Sequence, residues 1–368
     1  MWKRFSLCSL VAVVVSLAFA GSARADALND DLQTAWEALW DQRGSPRQLV
    51  RWTKLQPVPY RIFGAGSERH KDHIQKALDA VADATGLKFL DVSDQPDSRQ
   101  RAQLDLEVVP DNAADDDLAC YTLPLQWSNW TFTKVEVKMR SKDTWRCAFH
   151  EMVHAMGVMG HPSGKTVLSY FAHRHDTLMP LDKLMLGGLY AKDMPSGATP
   201  FQAMQILSRY VVLQDGLGLT ITEADQRRQA FLAHAVLSME KFARGEGEVP
   251  TIVRRSGRAS ESHIAQARCD MAFYLGLAYG RGTIVAQDAS AAARWQLLAA
   301  QAGHVPGQVM AGRAYYYGRG IEQDKTEGLR WLFKASASGS APAGDDLAQI
   351  EKSLPADDWT KLRASATP

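Results

Sequence analysis

The sequence predicts two folds in one chain: an α+β domain, then an all-α helical repeat solenoid. Three observations predict this. Strand-like and helix-like periodicities alternate between Trp52 and Asp143. Paired helical segments recur at a spacing of 36 residues from Ala267 onward. The stretch between them, Ser196 to Ser262, is mostly helical in pattern and broken by glycines. With 368 residues, 46% of them apolar, the chain can bury more than one core. The expected boundaries are 46–215 for the α+β domain, 216–262 for a helical connector and linker, and 263–354 for the repeats.

Residues 1–25 read as a cleavable signal peptide. Lys3 and Arg4 give a positive start, Phe5 to Ala20 an apolar run, and Ala23-Arg24-Ala25 an A-x-A cleavage site. The run is short for a spanning helix, small residues follow it, and no later segment is long enough to cross a bilayer. The expected location is therefore periplasmic or secreted, with no membrane span after signal removal. Loss of Lys3, Arg4 and Arg24 lowers Lys+Arg from 42 to 39 against 41 Asp+Glu, a net charge of −2. Such a balance gives no basis for a nucleic-acid partner or an anionic membrane surface.

Val58 to Phe63 alternates as a strand, and Gly64 and Gly66 end it. Glu68 to Thr85 places Ile74, Leu78, Val81 and Ala82 at helical spacing, with Gly86 as the stop. Leu87–Val92, Leu104–Val108 and Thr133–Met139 alternate as half-buried strands, a polar loop covers Asp111 to Asp117, and helix signals resume at Asp143. The order strand, helix, strand, strand, strand, helix describes an α+β domain. Beyond it, Phe201–Leu213 and Glu223–Arg244 are helical in pattern, broken at Gly216/Gly218 and Gly245/Gly247. Val253–Ser262, basic and serine-rich, reads as a linker. Three cysteines follow the leader. Cys120 and Cys147 flank one strand-like segment and are the natural disulfide pair in an oxidising compartment, leaving Cys269 buried and free.

In the repeats, Trp295 recurs as Trp331, Asp288 as Asp324 and Gly303 as Gly339, each 36 residues on. Gly280 and Gly282 recur as Gly318 and Gly320 at 38, which implies two extra loop residues in the first copy. Each copy carries a small, aromatic-rich helix, a Gly-x-Gly turn, and a second helix with Trp and Ala-Ala or Ala-Ser. This resembles the Sel-like repeats, relatives of the tetratricopeptide class, from Ala267 to about Gly339, with a terminal helix to Leu354. The resemblance implies a surface for a protein partner and brings no catalytic residues.

The chemistry concentrates in RCAFHEMVHAMGVMGHP, Arg146 to Pro162. His150 and His154, four apart on a helix, project from one face and can share one zinc ion. Glu151 can serve as base to a metal-bound water. A core helix that happens to carry two histidines would look the same at those positions. Against that, five of the ten histidines fall between His150 and His175.

The order of helix, strands, Cys, strand-like segment, Cys, active-site helix and the Leu178-Met179-Pro180 turn resembles the metzincin metallopeptidases, best their matrixin-like branch. The tail LMPLDKLMLGGLYAKDMPSGATPFQAMQIL is similar to a family of exported bacterial metzincin-like domains of unknown function. The likeness spans about Trp52 to Tyr210. It implies a metzincin-like zincin fold, Zn2+, a third histidine ligand, Glu151 as catalytic base, and Met179 in a Met-turn beneath the metal. Its signature puts the third histidine three residues after Gly157, where this chain has Gly160. His161 comes next and is the first choice, with His173 and His175 as rivals and Asp176 as the acidic alternative. A core methionine is the other reading of Met179, and its place after the loop favours the Met-turn. Many members of the exported family have lost zinc ligands, whereas His150, Glu151 and His154 are retained here.

Two functions follow as expectations. The first is a zinc-dependent metallopeptidase acting on a protein or peptide substrate, with repeats that recruit a partner. The alternative is a catalytically inactive metzincin-like scaffold or binding protein that acts through its Sel-like repeats.

Overall fold

The computed structural model describes residues 26–112, 120–169, 176–214, 217–255 and 260–366. The expected leader, much of the polar loop, Gly216, His173 and His175 lie outside them. The chain divides into two compact units. Residues up to Leu39, Leu49–Gly197 and Ile206–Phe231 form the first; Trp40–Gln48, Ala198–Gln205 and Leu232 onward form the second.

The first unit opens with α1, residues 26–37, an amphipathic helix that buries Leu28, Leu32 and Ala35 completely. Each such leucine is worth about 2 kcal/mol, enough to hold a short helix in place. A five-stranded sheet follows, built from β1 (Val58–Gly64), β2 (Phe89–Asp91), β3 (Leu104–Val109), β4 (Cys120–Ser128) and β5 (Thr131–Arg140). Its order is β2-β1-β3-β5-β4. The β1–β2, β1–β3 and β3–β5 pairs are parallel, whereas β4 pairs with β5 antiparallel and forms one edge. Two residues, Asn129 (φ 48°) and Trp130 (φ 61°), turn that hairpin, the double positive φ that a two-residue loop demands.

Alternation sorts the strand side chains. Tyr60, Ile62, Leu104, Leu106, Val135, Val137 and Met139 are buried. The intervening positions hold ion pairs: Asp105 bonds Arg61 Nε and Lys134 Nζ, each at 2.7 Å, and Lys138 approaches Glu107 and Glu136. Burial raises the Asp105 carboxyl, but its bonds from Arg61 and Lys134 outweigh this and hold it below the usual range. Helices α2 (Lys71–Thr85), the short α3 (Ser98–Arg101) and α4 (Thr144–Ala155) complete the α+β layer, α2 packing on α4, and α4 on β4 and β5. Helix α5 (Pro180–Leu189) also packs on α2.

Strand β4 corrects the sequence reading, which passed over it: two strands, not one, separate the cysteines. Pro124 removes a ladder donor, and Leu123, Leu125 and Trp127 are 45%, 46% and 54% exposed, so no half-buried alternation marks an edge strand of this kind.

Helices α6 (Pro200–Val211) and α7 (Ile221–Ala243) match the helical pattern of that region. A short helix, α8 (Thr251–Arg255), overlaps the start of the expected linker, with Ile252 and Val253 buried. The repeats comprise α9 (Glu261–Arg281), α10 (Ala289–Gln301), α11 (Val305–Tyr317) and α12 (Lys325–Ala337). Beyond them stand α13 (Ala341–Ser353) and α14 (Ala356–Ala366), one helix more than expected. Asp288 and Asp324 cap α10 and α12 by accepting the N–H groups of Ala291 and Glu327.

The glycine register also needs correction. Gly282 and Gly318 are the left-handed C-caps of α9 and α11, donating to Ala278 and Ala314. Two residues later, Ile284 (φ 67°) stands where the next copy has Gly320 (φ 73°). Asp288 N–H donates to Tyr279 O as Asp324 N–H does to Tyr315 O. Every equivalence is therefore 36 apart, and the loops are equally long. The paired Gly-x-Gly strings are similar letters two positions out of structural register.

Candidate metal centre

Helix α4 lacks proline and glycine and buries Cys147, Ala148, Phe149, Met152 and Val153, which leaves His150 and His154 one turn apart. Its last carbonyls are satisfied from elsewhere in the unit. Trp52 Nε1 donates to Ala155 O at 2.9 Å, and Tyr190 Oη donates to Met156 O at 2.9 Å while accepting Trp52 N–H. Gly157 then reverses the chain with φ 103°, where a Cβ would lie 2.1 Å from Val50 O. Only glycine fits there. After this turn His161 returns to the helix, its Nε2 reaching those of His150 and His154.

The three Nε2 atoms converge. His150 to His154 is 3.0 Å, His154 to His161 is 3.0 Å, and His150 to His161 is 3.1 Å. Among the described residues these three form the group able to hold a metal ion. Asp176 is exposed and not part of it, and His173 and His175 lie outside the described residues. The far nitrogens are tied to carbonyls: His150 Nδ1 donates to Val167 O at 2.8 Å, and His154 Nδ1 donates to Val158 O. A carbonyl only accepts, so in the neutral rings both Nδ1 atoms carry the proton and both Nε2 atoms present lone pairs. Two facing lone pairs 3.0 Å apart cannot bond each other. Burial disfavours relief by protonation: it lowers His150, and with the neighbouring His150 it pushes His161 down to about 3. Three neutral imidazoles around one point suit a borderline cation such as zinc.

Glu151 is 4% exposed. Burial raises its pKa to about 7, opposed by the Thr122 hydroxyl, which lies 2.7 Å from Oε2. Thr122 sits two residues after Cys120, and the Cys120–Cys147 disulfide ties that end of β4 to the first turns of α4. Cys269 is free and buried, its thiol pushed up to about 11 chiefly by burial. Met179 is the N-cap of α5, half-buried, and its N–H donates to Asp182 Oδ2 at 2.9 Å.

Sequence reasoning did not find Thr122, Val167, Tyr190 or Asp182. Asp182 left a signal, an acidic residue three beyond Met179 with Pro180 between, the pattern of a helix start. Thr122 left none, because its strand was not legible.

Comparison with known proteins places the second unit. The Sel1 repeat profile matches residues 269–304 and 305–340, two consecutive copies, so the C-terminal region is a helical Sel1-repeat solenoid. A Sel1 repeat protein from Oxalobacter formigenes is 23% identical, with a TM-score of 0.22 over 35% of this chain and 93% of that one. Cysteine-rich protein B of Helicobacter pylori is 19% identical, TM-score 0.21, over 32% and 95% of the two chains. The protective antigen c5321 of uropathogenic Escherichia coli is 20% identical, TM-score 0.25, over 51% and 52%. No curated protein sequence matches the chain significantly. No helix among the described residues is long and apolar enough to cross a membrane.

Proposed function

We propose that this chain is an exported zinc-dependent metallopeptidase of the metzincin type whose Sel1 repeats bind a protein partner. The observation that carries the reading is the convergence of three imidazole Nε2 atoms within 3.1 Å, two of them with lone pairs directed inward. The order of disulfide, histidine helix and Met179-Pro180 turn supports it, as does the mixed sheet. Zinc would supply an electrophile and a bound water with a pKa lowered to roughly 7. His150, His154 and His161 would hold the ion. Glu151, adjacent to a ligand in the chain, would be the base that takes a proton from water and gives it to the leaving amine. Thr122 fixes which way that carboxyl faces.

Metal analysis of the full chain, with a peptide-cleavage screen, tests this. The expected results are one zinc per chain, loss of zinc in His150→Ala, His154→Ala and His161→Ala, and retention in His173→Ala and His175→Ala. Glu151→Gln should keep the zinc and lose cleavage. Full zinc occupancy in His161→Ala would remove it from the ligand set. The burial of Glu151 favours the second reading, a metal-stabilised scaffold that works through its repeats. Stoichiometric zinc with no cleavage in the parent, across the screen, would select it.

A further inference from the structure

We infer that Asp182 is a positioning residue that sets the tautomer and aim of His150, acting through the backbone of Val167. This rests on the reading of His150 as a metal ligand. The two helix histidines are oriented differently. His154 Nδ1 meets Val158 O, supplied by the turn that directly follows its own helix. His150 Nδ1 meets Val167 O, seventeen residues on, in a segment without regular secondary structure. Something must fix that carbonyl, and the buried carboxylate of Asp182, 0% exposed, does so.

Asp182 Oδ2 accepts the Val167 N–H at 3.0 Å and the Met179 N–H at 2.9 Å, and Oδ1 accepts the Thr166 hydroxyl. One carboxylate thus joins the start of α5 to residues 166–167. Thr166 Oγ1 in turn accepts the Leu168 N–H at 3.2 Å, so both sides of Val167 are pinned. The consequence is chemical. With Val167 O held in place, the proton of His150 stays on Nδ1 and its Nε2 lone pair faces His154 and His161. Without the carboxylate three donors lose their acceptor, the segment shifts, and His150 is free to turn or to carry its proton on Nε2. Partners one layer behind a metal ligand commonly govern affinity in this way.

The test combines 15N-histidine NMR of the full metal-free chain with zinc affinity measured by chelator competition. In the parent, His150 should show the Nδ1–H tautomer; an Nε2–H signal there overturns the proposal without any variant. Asp182→Ala should lose that signature at His150 and keep it at His154, and should weaken zinc by about 10- to 100-fold. Asp182→Asn should retain most of both, because its amide oxygen can accept the two N–H groups while its NH2 faces Thr166 Oγ1. A purely structural carboxylate predicts a lower melting temperature in Asp182→Ala with the His150 tautomer and zinc affinity unchanged, and that result overturns the inference. Failure of the parent to bind zinc would sink the ligand assignment instead, while the tautomer measurement still decides Asp182.

Discussion

Ile284 shows how a single residue can oppose its own repeat. Its φ of 67° lies in the left-handed region, which costs a non-glycine residue about 1–2 kcal/mol, and a β-branched side chain is the least suited to it. The next copy uses Gly320 at the equivalent turn, where a Cβ would lie 2.0 Å from Ala289 O. The first copy keeps the turn and carries the strain. Ile284→Gly should therefore raise stability by only a few tenths of a kcal/mol, because the half-buried side chain it removes and the entropy glycine adds to the unfolded chain offset most of the relieved strain. Urea titration of the two proteins decides the sign. A less stable glycine variant would mean that the packing of Ile284 outweighs its backbone strain.

Helix α11 carries a cap that titrates. His304 Nδ1 accepts the Gly307 N–H at 3.0 Å, so the cap works only while that nitrogen is unprotonated. Burial lowers the His304 pKa to about 4, against an unfolded value near 6.5. The sign follows from proton counting. Between those values the unfolded chain holds a proton that the folded chain does not, so stability falls as pH drops through about 6.5 and the loss is complete near 4. Ser340 caps the equivalent helix α13 without titrating. His304→Ser should accordingly flatten the acid limb, improving stability at pH 4.5 relative to pH 7 by about 2 kcal/mol compared with the parent. Parallel denaturation curves across that range would show that another group governs acid sensitivity. Elements differ in the same way in how far the sequence reveals them. The strands β1, β3 and β5 and the helix α2 were legible because one face of each is buried, which writes a period into the residues. Strand β4 was not, since an edge strand with exposed Leu123, Leu125 and Trp127 and an internal Pro124 has no such period. The histidine pair was legible from its four-residue spacing. The groups that aim it were not: Val167 acts through its carbonyl and leaves no local pattern, and Asp182 marks a helix start after Met179 but gives no sign of its bond from the Val167 N–H fifteen residues back.

At the scale of the whole chain, the three histidines and Asp182 all belong to the first unit, and the two Sel1 copies to the second. A ligand that binds only the folded state stabilises it by RT ln(1 + [L]/Kd), about 2.7 kcal/mol at a hundredfold excess over Kd. The proposed ligands lie on α4 and just beyond Gly157, so a bound ion would cross-link a helix to the segment that leaves it. Local opening of that segment would then require release of a ligand, and its amides should exchange more slowly when zinc is present. The expectation is slower exchange in residues 150–169 and around α5, with residues 269–340 unchanged, and full reversal by a chelator. The His150→Ala variant should show no zinc response anywhere. Equal protection of the repeats would show that the ion acts beyond the unit that holds it, and no protection at residues 150–169 would show that the histidines do not bind zinc in the folded chain.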